Sequence, residues 1–384
     1  MPRASENTLS DAYAPLVAPE DGGGGSSTGR ISKRGCVGIA LGSIALAACV
    51  VGGLQYHGAG GDAGGAGGEQ HPSTNSDRVR HSNATEAFAA WREQYKKDEM
   101  FRSVNDYDAK LDIFSDNMQM VEEHNARFAQ GLETFNMTLG PYADMTAQAF
   151  AARHLIEIPP TPEGALEMMP EEHLLQATSG ASSIDYRSGS QKYVTKVKDQ
   201  SSCGSCWAFS AAAAVEGAWA KAGHGLADVS PQQLVDCDHS SDGCEGGLPS
   251  TGIKLYKAKG FATEREYPYQ GNDYMRCKSK SYSNKGKIQG PYKVQPSDDA
   301  LYSALKAHGP LSVAIDATTL QFYHSGIIDH GGRNLNHAVL LVGMKNNAWI
   351  VKNSWGSRWG ESGYFRLKRE SGAGTLGINE EAVY

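Results

Sequence analysis

The run Gln200-Ser201-Ser202-Cys203-Gly204-Ser205-Cys206-Trp207-Ala208-Phe209-Ser210 organises the chain. A polar lead passes through a turn of small residues into an apolar, alanine-rich stretch from Trp207 to Ala222, which Gly223 closes. That pattern predicts a helix with Cys206 in its first turn. The positive end of a helix dipole favours thiolate over thiol, and the thiolate is the reactive form. Cys206 is therefore the candidate nucleophile. Such a nucleophile also needs a proton donor for the leaving group, usually a histidine.

The seven cysteines are Cys36, Cys49, Cys203, Cys206, Cys237, Cys244 and Cys277. The first two lie in an apolar segment. Of the other five, four can pair and one is left over, which fits a stapled secreted domain with one free reactive thiol. A chain of 384 residues has room for more than one domain. Its net charge of −7 is unevenly spread: residues 182–384 carry 23 Lys and Arg against 19 Asp and Glu, and the rest 13 against 24. An acidic front and a mildly basic back suit an intramolecular contact. No basic cluster points to nucleic acid, and no motif asks for a metal or a cofactor.

Residues 1–34 are polar and rich in Gly and Ser, and read as a disordered cytosolic tail. Within them Tyr13-Ala14-Pro15-Leu16 resembles a tyrosine-based sorting signal. Residues 35–54 carry no charge and are long enough to span a bilayer as a helix. Arg30, Lys33 and Arg34 precede them and Asp62 and Glu69 follow, so the N-terminal side is expected to stay cytosolic. A cleaved signal peptide is the rival, disfavoured by the long leader and long apolar run. The expectation is a single-pass type II membrane precursor, attached through residues 35–54. Residues 55–81 are a Gly-rich tether. Asn83-Ala84-Thr85 and Asn136-Met137-Thr138 are glycosylation sequons, meaningful on a lumenal segment.

From Asn83 to Gln130 the chain reads as helix: Phe88, Trp91 and Tyr95, then Leu111, Phe114, Met118 and Val121, recur at three- and four-residue steps. Further on, His337 opens the apolar run Asn336-His337-Ala338-Val339-Leu340-Leu341-Val342-Gly343, and Asn353 lies in Trp349-Ile350-Val351-Lys352-Asn353-Ser354-Trp355-Gly356. Taken alone, such a His is more often packing than catalysis, and such an Asn is a loop residue.

Cys203-Gly204-Ser205-Cys206-Trp207, with a His and an Asn about 130–150 residues downstream, resembles the signature of the papain and cathepsin cysteine proteases. The resemblance is closest to their cathepsin L-like branch and runs from about Ser82 to Tyr384. Asp106, Lys110, Phe114, Asn117, Val121 and Asn125 match the interspersed helix motif of that branch's prosegments, with like-for-like changes at the first two and at Val121. Asp106 and Lys110 are placed to pair on one helix face. Gly140, Tyr142 and Asp144 match a second prosegment motif in part. The resemblance implies an inhibitory prosegment over residues 82–181 and a peptidase domain over residues 182–384. Cleavage is expected between about Ala177 and Ser183, shortly before Asp185-Tyr186-Arg187.

The implied fold is α+β and papain-like, with two subdomains: a helical left one begun by the Cys206 helix, and a β-barrel-like right one carrying His337 and Asn353. The implied catalytic set is Cys206, His337, Asn353 and Gln200. His337 pairs with the thiolate and protonates the leaving amine. Asn353 orients the imidazole, and Gln200 helps to form the oxyanion hole. Trp355 shields the His–Asn bond and Trp359 lines the leaving-group side. Gly246 and Gly247 let a substrate backbone approach. Leu248, Pro249, Ala314, Leu335 and Ala338 line an apolar pocket for the second residue before the cut, with Glu381 at its floor where it can meet an Arg. The implied disulfides are Cys203–Cys244 and Cys237–Cys277. The family's usual third bridge is absent, Leu376 standing at one partner's place and His330 or Gly331 near the other's.

The implied activity is that of a cysteine endopeptidase made as a zymogen, acting on proteins and peptides in an acidic lysosome, endosome or vacuole. Its own prosegment, and cystatin-like proteins, are the implied inhibitors. Cys203–Cys206 also has the spacing of a thioredoxin-type redox pair, but the polar lead Lys196–Ser202 is no buried strand. A Cys203–Cys206 disulfide would favour that reading and a Cys203–Cys244 disulfide would exclude it. A catalytically silent tethered scaffold is a further alternative, which the filled catalytic positions oppose. No inserted loop blocks one end of the cleft, which favours an endopeptidase over an exopeptidase or ligase.

Overall fold

The computed structural model describes residues 75–97, 103–175, 183–189, 192–274, 276–278 and 288–384. The expected tail, sorting motif, apolar run and tether before residue 75, and most of the expected cleavage region, lie outside them. The expectation of a single-pass type II membrane precursor bound for a lysosome, endosome or vacuole is corrected. Among the described residues no helix is long and apolar enough to cross a membrane, and residues 35–54, on which the anchor rested, are not among them.

The first part of the chain holds α1 (Asn75–Tyr95), α2 (Val104–Ala129), β1 (Phe135–Met137), α3 (Ala147–His154), β2 (Glu167–Met168) and α4 (Glu171–Leu175). The apolar three- and four-residue steps become the contact between two helices. Phe88, Trp91, Leu111, Phe114 and Val121 form one buried cluster. The helical reading of Asn83–Gln130 breaks in two: α1 stops at Tyr95, where Lys96 takes a left-handed φ of 55°. A fresh cap then starts α2, the Ser103 side chain accepting from the Asp106 N–H.

The rest of the chain supplies β3 (Ile184–Asp185), α5 (Cys206–Trp219), α6 (Pro231–Cys237), α7 (Pro249–Lys259), β4 (Tyr292–Lys293) and α8 (Asp298–His308). It continues with β5 (Leu311–Ile315), β6 (Tyr323–Ile328), β7 (His337–Lys345), β8 (Ala348–Lys352), β9 (Tyr364–Lys368) and β10 (Ala382–Val383). Helices α5, α6 and α7 pack round Trp207, Leu234, Ile253 and Tyr256. The strands make one sheet in the order β1-β6-β9-β8-β7-β5-β10-β4-β2, with β3 added to β7. This is the expected α+β arrangement: a helical unit beside a sheet, with α5 lying on β5 and β7. Ser210 on α5 donates to the Val339 carbonyl at 2.7 Å and meets the Ser312 hydroxyl at 2.6 Å.

Strands β1 and β2, from the first part, form the two ends of that sheet order: β1 pairs antiparallel with β6, and β2 pairs parallel with β4. Edge strands carry unpaired backbone groups, so covering both edges both holds the first part and closes the sheet.

Among the described residues two disulfides staple the helical side, Cys203–Cys244 and Cys237–Cys277, and Cys206 is free. The Cys203–Cys244 bond removes the redox-pair alternative. Where the third bridge is missing, Leu376 is buried and lies against Gly331. A Cβ on Gly331 would come within 2.2 Å of the Leu376 side chain. Packing there stands in for a covalent link.

Candidate active site

Cys206 is the first residue of α5, where the backbone N–H groups of Ala338, Trp207 and Cys206 favour its thiolate. His337 opens β7 opposite Ile315 of β5. Its Nε2–H donates to Asn353 Oδ1 at 2.8 Å, while its Nδ1 is buried without a hydrogen-bond partner. Asn353 Oδ1 also accepts from the Ser354 N–H at 2.8 Å. Trp355 stacks on the His337 ring with centroids 4.6 Å apart, so water cannot reach the His–Asn bond from that side. Trp359 packs edge-on against Trp355 at 5.0 Å and its indole N–H donates to the Leu320 carbonyl. Gln200 is fully buried; its Nε2 donates to the Cys203 carbonyl at 3.0 Å and its Oε1 accepts from the Ser354 hydroxyl at 2.7 Å. One short loop thus ties Gln200, Asn353 and Trp355 together.

The first part of the chain covers this cleft. Tyr142, Phe150 and His154 pack their rings on Trp355, at 6.0, 5.1 and 6.5 Å. The chain then runs extended across the cleft: the Ile156 N–H donates to the Asn336 carbonyl at 2.8 Å and the Ile158 N–H to the Leu335 carbonyl at 3.0 Å. The Ile156 side chain sits over Gly204 and Gly246, where a Cβ would meet it at 2.9 and 3.7 Å. Gly247 has a different reason to be glycine: a Cβ there would stand 2.6 Å from the Trp207 ring. Ile158 lies in a pocket with Leu248, Pro249, Ala314 and Glu381, and Leu335 and Ala338 belong to the same apolar cluster. Glu381 Oε1 accepts from the Thr161 N–H at 2.9 Å and from Lys293 Nζ at 2.8 Å.

Covering changes the electrostatics. Burial pushes the Cys206 thiol up to about 12, against the opposing pull of the N–H groups of Ala338, Trp207 and Cys206. Burial likewise lowers His337 to about 4, the Asn353 bond opposing and nearby His154 adding to the shift. Both shifts favour the neutral thiol and neutral imidazole, because each charged form has lost its water. In the covered state burial thus favours the neutral pair over the thiolate–imidazolium pair that the family resemblance implies.

The prosegment motif residues are tethers. Lys110 Nζ donates to the Asp144 carbonyl at 2.8 Å and lies 3.6 Å from its carboxylate. Asn117 Nδ2 donates to the carbonyls of Ala143 and Met145, and Asn125 Nδ2 to that of Met137. Together they hold the segment that carries Tyr142 onto Trp355. Of the two sequons, Asn83 is exposed, whereas Asn136 Oδ1 accepts from the N–H and hydroxyl of Ser325. Sequence reasoning missed His154, Lys293 and the cleft-crossing Ile156 and Ile158. The alternation Ile156-Glu157-Ile158 before Pro159 was the available signal for an extended, half-buried segment.

Residues 180–384 match the model of the papain family of cysteine proteases, and residues 88–150 that of the cathepsin propeptide inhibitor domain. The chain is 36% identical over 284 residues to digestive cysteine proteinase 3 of Homarus americanus, covering 71% of this chain and 86% of that one. It is 34% identical over 296 residues to a cathepsin L-like proteinase of Phaedon cochleariae, covering 74% and 89%. The solved structure of digestive procathepsin L 3 from Tenebrio molitor larval midgut superposes with a TM-score of 0.67 at 33% identity, covering 78% of this chain and 98% of that one. The chain therefore belongs to the papain family of cysteine proteases. Within it, this is a cathepsin L-like, cysteine-type endopeptidase that carries its propeptide.

Proposed function

We propose that Cys206, His337, Asn353 and Gln200 carry out peptide-bond hydrolysis in the domain of residues 182–384, and that residues 82–181 inhibit it until removed. The observation that carries this is the His337 ring, anchored at Nε2 by Asn353 and unpartnered at Nδ1. A fixed imidazole with one open nitrogen beside the helix-terminal thiol can take the thiol proton and later give it up. When the prosegment leaves, water returns to the cleft and the thiolate–imidazolium pair becomes accessible. The Cys206 sulfur then attacks the scissile carbonyl. The oxyanion is met by the Cys206 N–H and by the second N–H of the Gln200 amide. His337 protonates the departing amine, and water, deprotonated by the same ring, releases the acyl group.

The pocket of Leu248, Pro249 and Ala314, with Leu335 and Ala338 beside it, receives a bulky apolar side chain at the second residue before the cut. Ile158 of the prosegment rests in that pocket. Gly246 leaves room for the substrate backbone, Trp355 and Trp359 form the leaving-group wall, and proteins of the cystatin type are suited to block the same cleft. Asn83 and Asn136 are the proposed glycan acceptors, Asn83 the more open.

The test compares full-length protein with its Cys206→Ala form at about pH 5, where a histidine-paired cysteine protease operates. The prosegment is removed by a second protease, and cleavage of a peptide with Leu or Phe two residues before the cut is followed. Cleavage by the wild type alone supports the reading. Absence of cleavage by both overturns it.

A further inference from the structure

Glu381 is the one carboxylate among the residues lining the pocket that holds Ile158. Its Oε1 already has two donors, Lys293 Nζ at 2.8 Å and the Thr161 N–H at 2.9 Å. The two donors differ in origin. Thr161 belongs to the prosegment and leaves with it. Lys293 belongs to β4, and β4 is fixed by strand pairing inside the peptidase domain: Lys293 stands opposite Val383 of β10, and Glu381 immediately precedes that strand. When the prosegment's β2 leaves the other side of β4, the pairing of β4 with β10 remains and keeps the two side chains neighbours. With the prosegment in place the pair is sheltered, with side-chain exposures of 17% for Lys293 and 10% for Glu381.

A sheltered pair of this kind has a consequence for substrate choice. A guanidinium binds a carboxylate best in a two-pronged manner that uses both oxygens. In this pocket one oxygen is taken by an ammonium group. An incoming Arg would bring a second cation against the same carboxylate, or would have to evict Lys293 and leave it without its partner in a poorly hydrated place. A Leu or Phe side chain meets neither cost. We propose that Lys293 is a specificity-determining residue: by holding Glu381 in an internal ion pair, it makes the pocket select an apolar side chain over Arg. This rests on the assignment of that pocket to the second residue before the cut.

The test uses enzyme freed of its prosegment by a second protease and two peptides that differ only in Leu or Arg at that position. The quantity read is the ratio of kcat/KM for Arg to that for Leu. Lys293→Met is expected to raise the ratio at least about tenfold, as removal of a competing charge beside a buried carboxylate should. Adding Glu381→Gln to Lys293→Met is expected to cancel the rise. Glu381→Gln alone is expected to lower the ratio, because it leaves the Lys293 ammonium uncompensated beside the pocket. An unchanged ratio in Lys293→Met overturns the proposal. If Lys293→Met does not fold, Lys293→Gln, which keeps a polar chain without the charge, is read in the same way: a raised ratio supports the proposal and an unchanged one overturns it. If wild type cuts neither peptide, the assignment of the site itself falls and takes this proposal with it. That result differs from normal cutting of the Leu peptide with a ratio that does not respond.

Discussion

At the scale of single residues, position on an element matters less than what covers it. Cys206 sits at a helix start, which by itself lowers a thiol's pKa. In the covered protein burial wins, and the thiol rises to about 12 while His337 falls to about 4. The zymogen is thus expected to be silent chemically as well as sterically. Iodoacetamide should alkylate Cys206 in the covered form at least about a hundredfold more slowly than in the freed enzyme at neutral pH. Alkylation of the freed enzyme should persist below the pH at which a plain thiol stops reacting. Equal rates in the two forms would show that the prosegment leaves the ion pair intact.

At the scale of elements, the loops beside the sheet are held by packing where a bridge is missing. Leu376 adopts φ 57° and fills the space over Gly331, and its carbonyl accepts from the Asp316 N–H at 2.9 Å. Leu376→Ala should cost about 2–5 kcal/mol, the range for a buried leucine whose surroundings cannot collapse. Urea unfolding of the freed enzyme would read this; a loss near zero would mean that the loop repacks. Sequence could say only that the bridge was gone. The replacement depends on Gly331 and Leu376, 45 positions apart, being brought together by the turn that precedes β10.

At the scale of the whole molecule, the prosegment is held by strand pairing at both sheet edges and by aromatic packing on Trp355, so its release should respond to groups buried there. His154 packs among Tyr142, Phe150 and Trp355. Its pKa is lowered from 6.5 to about 4, chiefly by burial, then by Arg153 and Lys97, a bond with the Ser201 backbone opposing. Once released, the ring regains its ordinary pKa. Between those two values the released state binds the extra proton, so covering is favoured fully above pH 6.5 and weakens as pH falls toward 4. The largest effect of this one group is roughly 3 kcal/mol. His308, lowered to about 4 by burial and by the prosegment's His173, which it meets at 3.0 Å, acts in the same direction. His154→Phe keeps a ring on Trp355 and removes the titration. It should cut the ratio of prosegment loss at about pH 5 to that at about pH 7 by tenfold or more. A ratio equal to wild type would exclude His154 as the sensor.

The class of protein was legible from short stretches. A Cys at the start of an apolar helix, with a His and an Asn at the expected distance downstream, carried the resemblance to the family, and such a signature is written in short runs of neighbouring residues. The helical character of the prosegment was legible for the same reason, since helix periodicity is a short-range pattern. Other properties needed contacts between residues far apart in the chain. The Lys293–Glu381 pair, the Leu376–Gly331 contact and the path of Ile156 and Ile158 over Gly204 and Gly246 all depend on strand register. So does the charge state of Cys206 and His337, because desolvation is set by everything that lies over a group and not by its neighbours in the chain. Sequence determined what chemistry this protein carries; tertiary structure decided when that chemistry is available, because burial and pairing are properties of the assembled surface.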